Sequence, residues 1–82
     1  MAVFVLDDWE AFKEASRRTK SKVYRVIERS DCIEIHLLAG KWGFVRTFKK
    51  DEKKELEEFT NTIELEGFVK IKSVESEECF LI

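Results

Sequence analysis

The sequence predicts a single small α+β domain. Its antiparallel sheet has a three-stranded central meander, and two helices pack on one face. Residues 22–49 form three runs of β-branched and aromatic residues, separated by Ser30-Asp31 and Gly40-Lys41, which are residue types that two-residue turns favour. An apolar stripe at helical spacing precedes this meander, and another follows it. Helices that interrupt a mostly antiparallel set of strands are typical of an α+β sandwich.

The two turns also predict a register, in which Arg29 lies opposite Cys32 and Ala39 opposite Trp42. Directly opposed residues share a face of the sheet, so the faces can be sorted, although a one-residue shift in a turn would exchange them. The first face, predicted as the core, holds Tyr24, Val26, Ile33, Ile35, Leu37, Trp42, Phe44 and Phe48, with Glu28 and Arg46 as its polar members. The second, which could meet solvent or a partner, holds Val23, Arg25, Ile27, Arg29, Cys32, Glu34, His36, Leu38, Val45, Thr47 and Lys49.

The chain before the meander predicts a strand and a helix. Residues 2–6 are five consecutive apolar residues, which favours a strand buried on both faces; an arm that pairs with another subunit is the alternative. Asp7 or Asp8 then caps a helix over residues 8–18. Its apolar stripe consists of Trp9, Phe12 and Ala15 or Ser16.

The chain after the meander predicts a second helix over residues 51–62, with Leu56, Phe59 and Ile63 as its core stripe. Gly67 is a turn candidate. Residues 68–74 alternate as a strand, residues 75–77 form a polar turn, and residues 79–82 could form a last edge strand.

Length and composition predict one domain over residues 1–82, since so short a chain has no room for two cores. The chain is 44% hydrophobic and 39% charged. A high content of Lys and Glu is common in proteins from hot environments, although the absence of proline does not fit that pattern. The formal net charge of −2 means that a nucleic-acid role would need a local basic patch.

The start of the chain lacks the charged leading region of a signal peptide, and no apolar run approaches membrane-spanning length. We therefore expect a cytoplasmic protein with no membrane partner. Cys32 and Cys79 should then be thiols, although a disulfide between them stays open. Residues 79–82 match a prenylation box in outline, a reading that we do not favour.

Catalytic and metal-binding patterns do not stand out. One histidine and two distant cysteines do not have metal-ligand spacing. Cys32 and His36 share a strand face about 13 Å apart, at ~3.3 Å per residue, which is too far for a nucleophile–base pair. We expect His36 to lie beside Arg25 as a surface pair. The sequence therefore predicts a protein that is not an enzyme and has no cofactor.

Aromatic and basic residues of the predicted sheet suggest binding of single-stranded DNA or RNA, because binders of single strands combine stacking rings with cations. Trp42, Phe44 and Arg46 are the candidates for stacking and charge. The candidates for contacts with the nucleic-acid backbone lie on the opposite face and are Arg25, Arg29 and Lys49. The alternative for Arg46 is a structural role at the sheet edge, with its charge and hydrogen bonds satisfied within the protein. The alternative for the whole chain is a protein-interaction or homodimerisation module, and we expect a homo-oligomer.

The layout of residues 7–63 resembles the small archaeal single-stranded DNA-binding domains called ThermoDBP. A leading helix, a meander with aromatic and basic residues, and a following helix carry this resemblance, without a diagnostic motif. The resemblance implies binding of single-stranded DNA or RNA through a hydrophobic cleft with basic edges. This chain lacks a long helical zipper tail, so any assembly would use another surface.

Overall fold

The computed structural model describes residues 3–71. In this part of the chain, five strands and two helices follow one another as β1 (Phe4–Val5), α1 (Trp9–Ser16), β2 (Lys22–Glu28), β3 (Cys32–Ala39), β4 (Trp42–Lys49), α2 (Lys53–Leu65) and β5 (Val69–Lys70). The predicted turn at 75–77, the strand at 79–82, the prenylation box and the Cys32–Cys79 pairing lie outside the described residues. The predicted α+β class is confirmed.

The strands form one sheet in the order β1-β4-β3-β2-β5. Strands β2, β3 and β4 are the predicted antiparallel meander, and its register is confirmed, with Ala39 opposite Trp42 and Ile35 opposite Arg46. Gly40 adopts a φ of +60° in the second turn, a conformation that suits glycine. The outer pairs differ from the prediction, because β1 runs parallel to β4 and β5 parallel to β2. Helix α2 returns the chain across the sheet before β5, which makes that parallel pairing accessible.

Both helices pack on the predicted core face. Helix α1 begins after Asp8, whose carboxylate accepts a hydrogen bond from the Ala11 N–H at 3.1 Å. The Trp9 ring lies 5.2 Å from the ring of Phe44, measured between centroids. The core consists of Phe12, Tyr24, Ile35, Leu37, Ala39, Phe44, Phe48, Phe59, Ile63 and Phe68. The predicted stripes of both helices therefore meet the aromatic face of the meander.

Helix α2 begins two residues later than predicted and continues three residues further. At its start, the Glu52 carboxylate accepts a hydrogen bond from the Lys49 N–H at 2.8 Å and caps no helical N–H group. At its end, Gly67 has a φ of +103°. The Phe68 N–H bonds the Ile63 carbonyl at 3.0 Å and the Gly67 N–H bonds the Glu64 carbonyl at 3.1 Å, which together form a Schellman motif. This termination buries Phe68 in the core.

The β2 side of the sheet is tied to the end of α2. The Tyr24 hydroxyl donates a hydrogen bond to the Glu64 carboxylate at 2.6 Å. Burial of the phenol, together with the Glu64 carboxylate, raises the pKa of Tyr24 to about 12. The Lys22 ammonium donates to the Glu66 carbonyl at 3.1 Å, close to the negative end of the helix dipole. Sheet and helix are thus joined by side chains as well as by packing.

Strand β1 corrects a prediction. Residues 2–6 were predicted to form a strand buried on both faces, but the strand is confined to Phe4 and Val5, which are 51% and 52% exposed. The reason is position, because β1 has a neighbouring strand on one side only within the described residues. No helix in residues 3–71 is long and apolar enough to cross a membrane.

Candidate nucleic-acid interface

The six residues proposed from the sequence fall on two faces of the sheet, as the register requires. On the helix-covered face, β4 carries Trp42, Phe44 and Arg46 in a row. On the other face lie Arg25, Arg29 and Lys49. The structure therefore does not bring the two sets together, and each has to be assessed by its own surroundings.

Phe44 belongs to the core. It is 7% exposed, and its ring lies 5.2 Å from Trp9 and 5.6 Å from Phe12 between centroids. Helix α1 covers it, so a nucleic-acid base has no access to the ring. The sequence predicted this face as the core, and the structure shows that α1 is the helix that covers Phe44.

Arg46 is exposed although it lies on the same face. Its guanidinium carbon lies 5.3 Å from the centroid of the Phe48 ring and 5.0 Å from that of Phe59, which is cation–π geometry. Within residues 3–71, no carboxylate lies within 4.0 Å of it, since the ion pairs there join other residues. The two rings therefore hold a guanidinium whose charge is open to an anion.

Trp42 belongs to a group that the sequence did not reveal. Its ring lies 5.6 Å from the ring of Phe4, the residue opposite it on β1. The Lys41 ammonium lies 5.5 Å from the Trp42 ring and 5.8 Å from the Phe4 ring, between the nitrogen and each centroid. We call Phe4, Lys41 and Trp42 the aromatic–lysine cluster. Phe4 is half exposed and Trp42 partly buried, so the cluster presents apolar ring surface and a cation to solvent.

The aromatic–lysine cluster and Arg46 lie along one strand. Trp42 and Arg46 are four residues apart on the same face, or about 13 Å at ~3.3 Å per residue. Because Phe44 between them is covered by α1, the accessible surface has rings and one cation at one end and a second cation at the other. An extended chain of alternating rings and anions would match this arrangement.

The positive charge of the opposite face is more nearly neutralised than that of the helix-covered face. The Glu34 carboxylate pairs with the Arg29 Nε at 3.2 Å and with the His36 Nε2 at 2.9 Å. These hydrogen bonds, that of His36 first, hold the pKa of Glu34 below its usual value. His36 lies opposite Arg25 as predicted, but it is 2% exposed and so is not a surface residue.

The three basic residues of this face differ in availability. Arg25 is half-buried and takes part in interactions of its own, and Arg29 is paired with Glu34. Only the side chain of Lys49 among the three is exposed. This face consequently offers phosphate less positive charge than the list of its residues suggested.

The Cys32 thiol, at the start of β3, lies near acidic groups. Burial, and then the nearby charges of Asp31 and Glu34, raise the pKa of the Cys32 thiol, which disfavours the reactive thiolate. No group of three or more His, Cys, Asp or Glu side chains in residues 3–71 could hold a metal ion. An open groove of about 410 Å³ lies between α2 and the β2–β3 hairpin. Its lining residues, of mixed polarity and charge, are Glu28, Ile33, Lys53, Leu56, Glu57, Thr60 and Asn61.

Comparison with known proteins gives no relative. No family model matches the chain, and no curated protein or solved structure gives a significant match. The resemblance to ThermoDBP domains therefore stays a prediction from layout.

Proposed function

We propose that this chain is a non-enzymatic, cytoplasmic module that binds single-stranded nucleic acid along the helix-side surface of β4. The observation that carries the proposal is the aromatic–lysine cluster, where one ammonium lies over two rings and one of those rings is half exposed. Binders of single strands use this combination, because every base has a face that can stack and every nucleotide brings a phosphate.

Each residue of the surface has a separate role in this proposal. Phe4 offers the accessible ring on which a base stacks, and Trp42 supports that ring from the sheet. Lys41 and Arg46 contact phosphates at the two ends of the surface. The predicted site thereby keeps Trp42 and Arg46, omits the buried Phe44, and gains Phe4 and Lys41.

The overall charge of −2 limits non-specific attraction, so affinity depends on these local contacts. The backbone contacts proposed for Arg25, Arg29 and Lys49 become secondary, since Arg29 is already paired with Glu34. An archaeal origin and a ThermoDBP-like ancestry remain predictions that this proposal does not require.

The test is fluorescence anisotropy of labelled oligo(dT) and oligo(U) titrated with the purified chain at low and moderate salt. Phe4→Ala should weaken binding about 5- to 150-fold, because stacking contributes roughly 1–3 kcal/mol per base. Leu65→Ala is the matched control, since Leu65 is an 88% exposed apolar residue on another element. Absence of saturable binding at low salt, or an equal loss with Leu65→Ala, would contradict the proposal.

Salt dependence tests the phosphate contacts separately. For single strands, the slope of log affinity against log salt changes by about 0.7 for each phosphate contact. Arg46→Gln and Lys41→Gln should each reduce the magnitude of the slope by about that amount, whereas Arg29→Gln should leave it nearly unchanged. A reduction confined to Arg29→Gln would move the site to the opposite face.

Homodimerisation through β1 is the second candidate. The N–H groups of Phe4 and Leu6 bond to β4, so the backbone N–H and C=O groups of Val5 point away from the sheet. The side chains of Phe4 and Val5 are both about half exposed. Edge strands of this kind can pair with a second copy. Light scattering that finds a strict monomer at high concentration would count against this candidate. A dimer that dissociates when oligonucleotide is added would mean that both candidates use Phe4.

A further inference from the structure

Part of the outer edge of β4 is used by no strand within residues 3–71. The Phe4 N–H bonds the Lys41 carbonyl and the Leu6 N–H bonds the Gly43 carbonyl, both at 2.8 Å. Carbonyls at positions 41 and 43 therefore point toward β1. Backbone groups of a strand alternate in direction, so those of Val45, Thr47 and Lys49 point the same way. Strand β1 pairs only with Trp42 and Gly43 and does not reach them.

The far end of this edge is closed. The Lys49 N–H donates to the Glu52 carboxylate at 2.8 Å, and the Lys49 carbonyl accepts from the Glu52 N–H at 3.0 Å. Among residues 3–71, two N–H and two C=O groups, those of Val45 and Thr47, have no partner between β1 and Glu52. We call these four groups the open β4 edge. Unpaired edge groups of this kind are a template for an additional strand.

Two cations lie beside the open β4 edge, and the Glu52 carboxylate lies at its far end. Arg46 lies between Val45 and Thr47 in the chain. Among the residues described, no carboxylate lies within 4.0 Å of its guanidinium. Lys49 next to the edge is exposed. Val45 is 36% exposed on the opposite face and adds an apolar contact. A strand that docks here would be favoured by an acidic residue opposite Arg46.

A second copy of this strand does not meet that requirement. An antiparallel pair of two β4 strands centred on Arg46 would place the two arginines directly opposite each other, which is destabilising. A pair centred on Val45 would need Gly43, which β1 already uses, and a pair centred on Thr47 would need Lys49, which Glu52 already uses. Self-pairing through this edge is therefore disfavoured.

We propose that the open β4 edge binds an extended acidic segment of a partner protein, which adds a strand to the sheet and places a carboxylate opposite Arg46. Main-chain hydrogen bonds would supply affinity and the alternating side chains specificity, as in other cases of strand addition. This activity goes beyond nucleic-acid binding, and the two share only the Arg46 side chain.

The probe is the peptide acetyl-TVEVT-amide, titrated into ¹⁵N-labelled protein and followed by ¹H–¹⁵N NMR spectra. The amide signals of Val45 and Thr47 should shift most. The matched peptide acetyl-TVKVT-amide should bind about fivefold or more weakly, because it places a cation opposite Arg46. Arg46→Glu should reverse this preference. Shifts centred elsewhere, no shifts at millimolar peptide, or equal affinity for both peptides would overturn the proposal.

Thr47→Pro tests the backbone contact. Proline at this position removes the N–H group that points outward. The hydrogen bonds to β3 are kept, because they are made by the alternate residues of β4. Proline is also tolerated on edge strands. With the fold checked by circular dichroism, this variant should bind the acidic peptide about tenfold more weakly and oligonucleotide as before. Phe4→Ala should have the opposite pattern. Unchanged peptide binding by a folded Thr47→Pro variant would refute the strand-addition mode.

Discussion

The β2 side and the β4 side of the sheet, which are its two ends in strand order, differ in how many of their polar and aromatic groups are bonded or packed within the protein. On the β2 side, Tyr24 bonds Glu64 and Lys22 bonds the carbonyl of Glu66, so both side chains serve the connection to α2. On the β4 side, Arg46 stacks on rings without a carboxylate among the described residues, and Phe4 is half exposed. The contrast is that polar side chains near β2 are paired with α2, whereas β4 keeps a cation and a neighbouring aromatic ring accessible.

The largest expected effect is on the stability of the core beneath α2. Ile63 is fully buried in α2, so Ile63→Ala should reduce the free energy of unfolding by about 2–5 kcal/mol. Leu65→Ala, two residues away and exposed, should stay within about 0.5 kcal/mol. Urea unfolding followed by circular dichroism measures both. Similar losses in the two variants would mean that α2 does not pack as described.

Alkaline pH should weaken the contact between β2 and α2 through Tyr24. Its folded pKa of about 12 lies above the ordinary value of 10.0, so the fold favours the neutral phenol. That stabilisation is fully present below pH 10 and is lost as the pH rises through about 12. Tyr24 is the one tyrosine in the sequence, so tyrosinate absorbance reports it directly.

Two variants sharpen the titration. Glu64→Gln should lower the pKa of Tyr24, because the carboxylate that opposes ionisation is gone while the burial remains. Tyr24→Phe should remove this part of the loss of stability above pH 10. A phenol that titrates near 10 in the folded protein would contradict the described burial and hydrogen bond.

Gly67→Ala should have a smaller effect, about 1–2 kcal/mol of destabilisation, because φ at this position is +103°. A Cβ here would meet the Lys22 side chain only at an ordinary 3.8 Å, so the strain lies in the backbone. D-alanine at the same position, introduced by chemical synthesis, is the control and should cost much less. Equal losses for the two alanines in denaturant unfolding would point to a steric cause instead.

A smaller effect on stability again is expected from Arg46 on β4. Arg46→Ala should cost about 0.5–1 kcal/mol, because an exposed cation–π contact contributes no more than that. The same variant should weaken oligonucleotide binding clearly. A loss of stability as large as that of Ile63→Ala would make Arg46 a structural residue and would remove the contrast between the two sides.

The register of the meander could be predicted residue by residue, because two-residue turns leave little freedom and the apolar alternation agrees with them. The exposure of Phe4 could not, because an apolar run at an edge has the same composition as a buried strand. Its neighbour Trp42 lies far along the chain, and only the strand order brings them together. The open β4 edge depends likewise on where β1 ends.

The candidate site could be predicted only in part for related reasons. Trp42 and Arg46 follow from the face assignment. Phe44 has the same pattern, but the docking of α1 hides it, and Lys41 appears in sequence as an ordinary turn residue. Arg29 and Glu34 were predicted on the same face. That they form an ion pair, which lowers the charge available to phosphate, can be seen only from the distance between them.

The most direct test of nucleic-acid binding at the β4 side is the fluorescence of Trp42. The chain has two tryptophans, so Trp9→Phe leaves Trp42 as the sole reporter. In this variant, once shown to be folded, unlabelled oligo(dT) at low salt should quench Trp42 emission saturably, and Phe4→Ala should weaken the effect. Emission that stays unchanged while anisotropy reports binding would place the site elsewhere and contradict the assignment of β4 as the binding side.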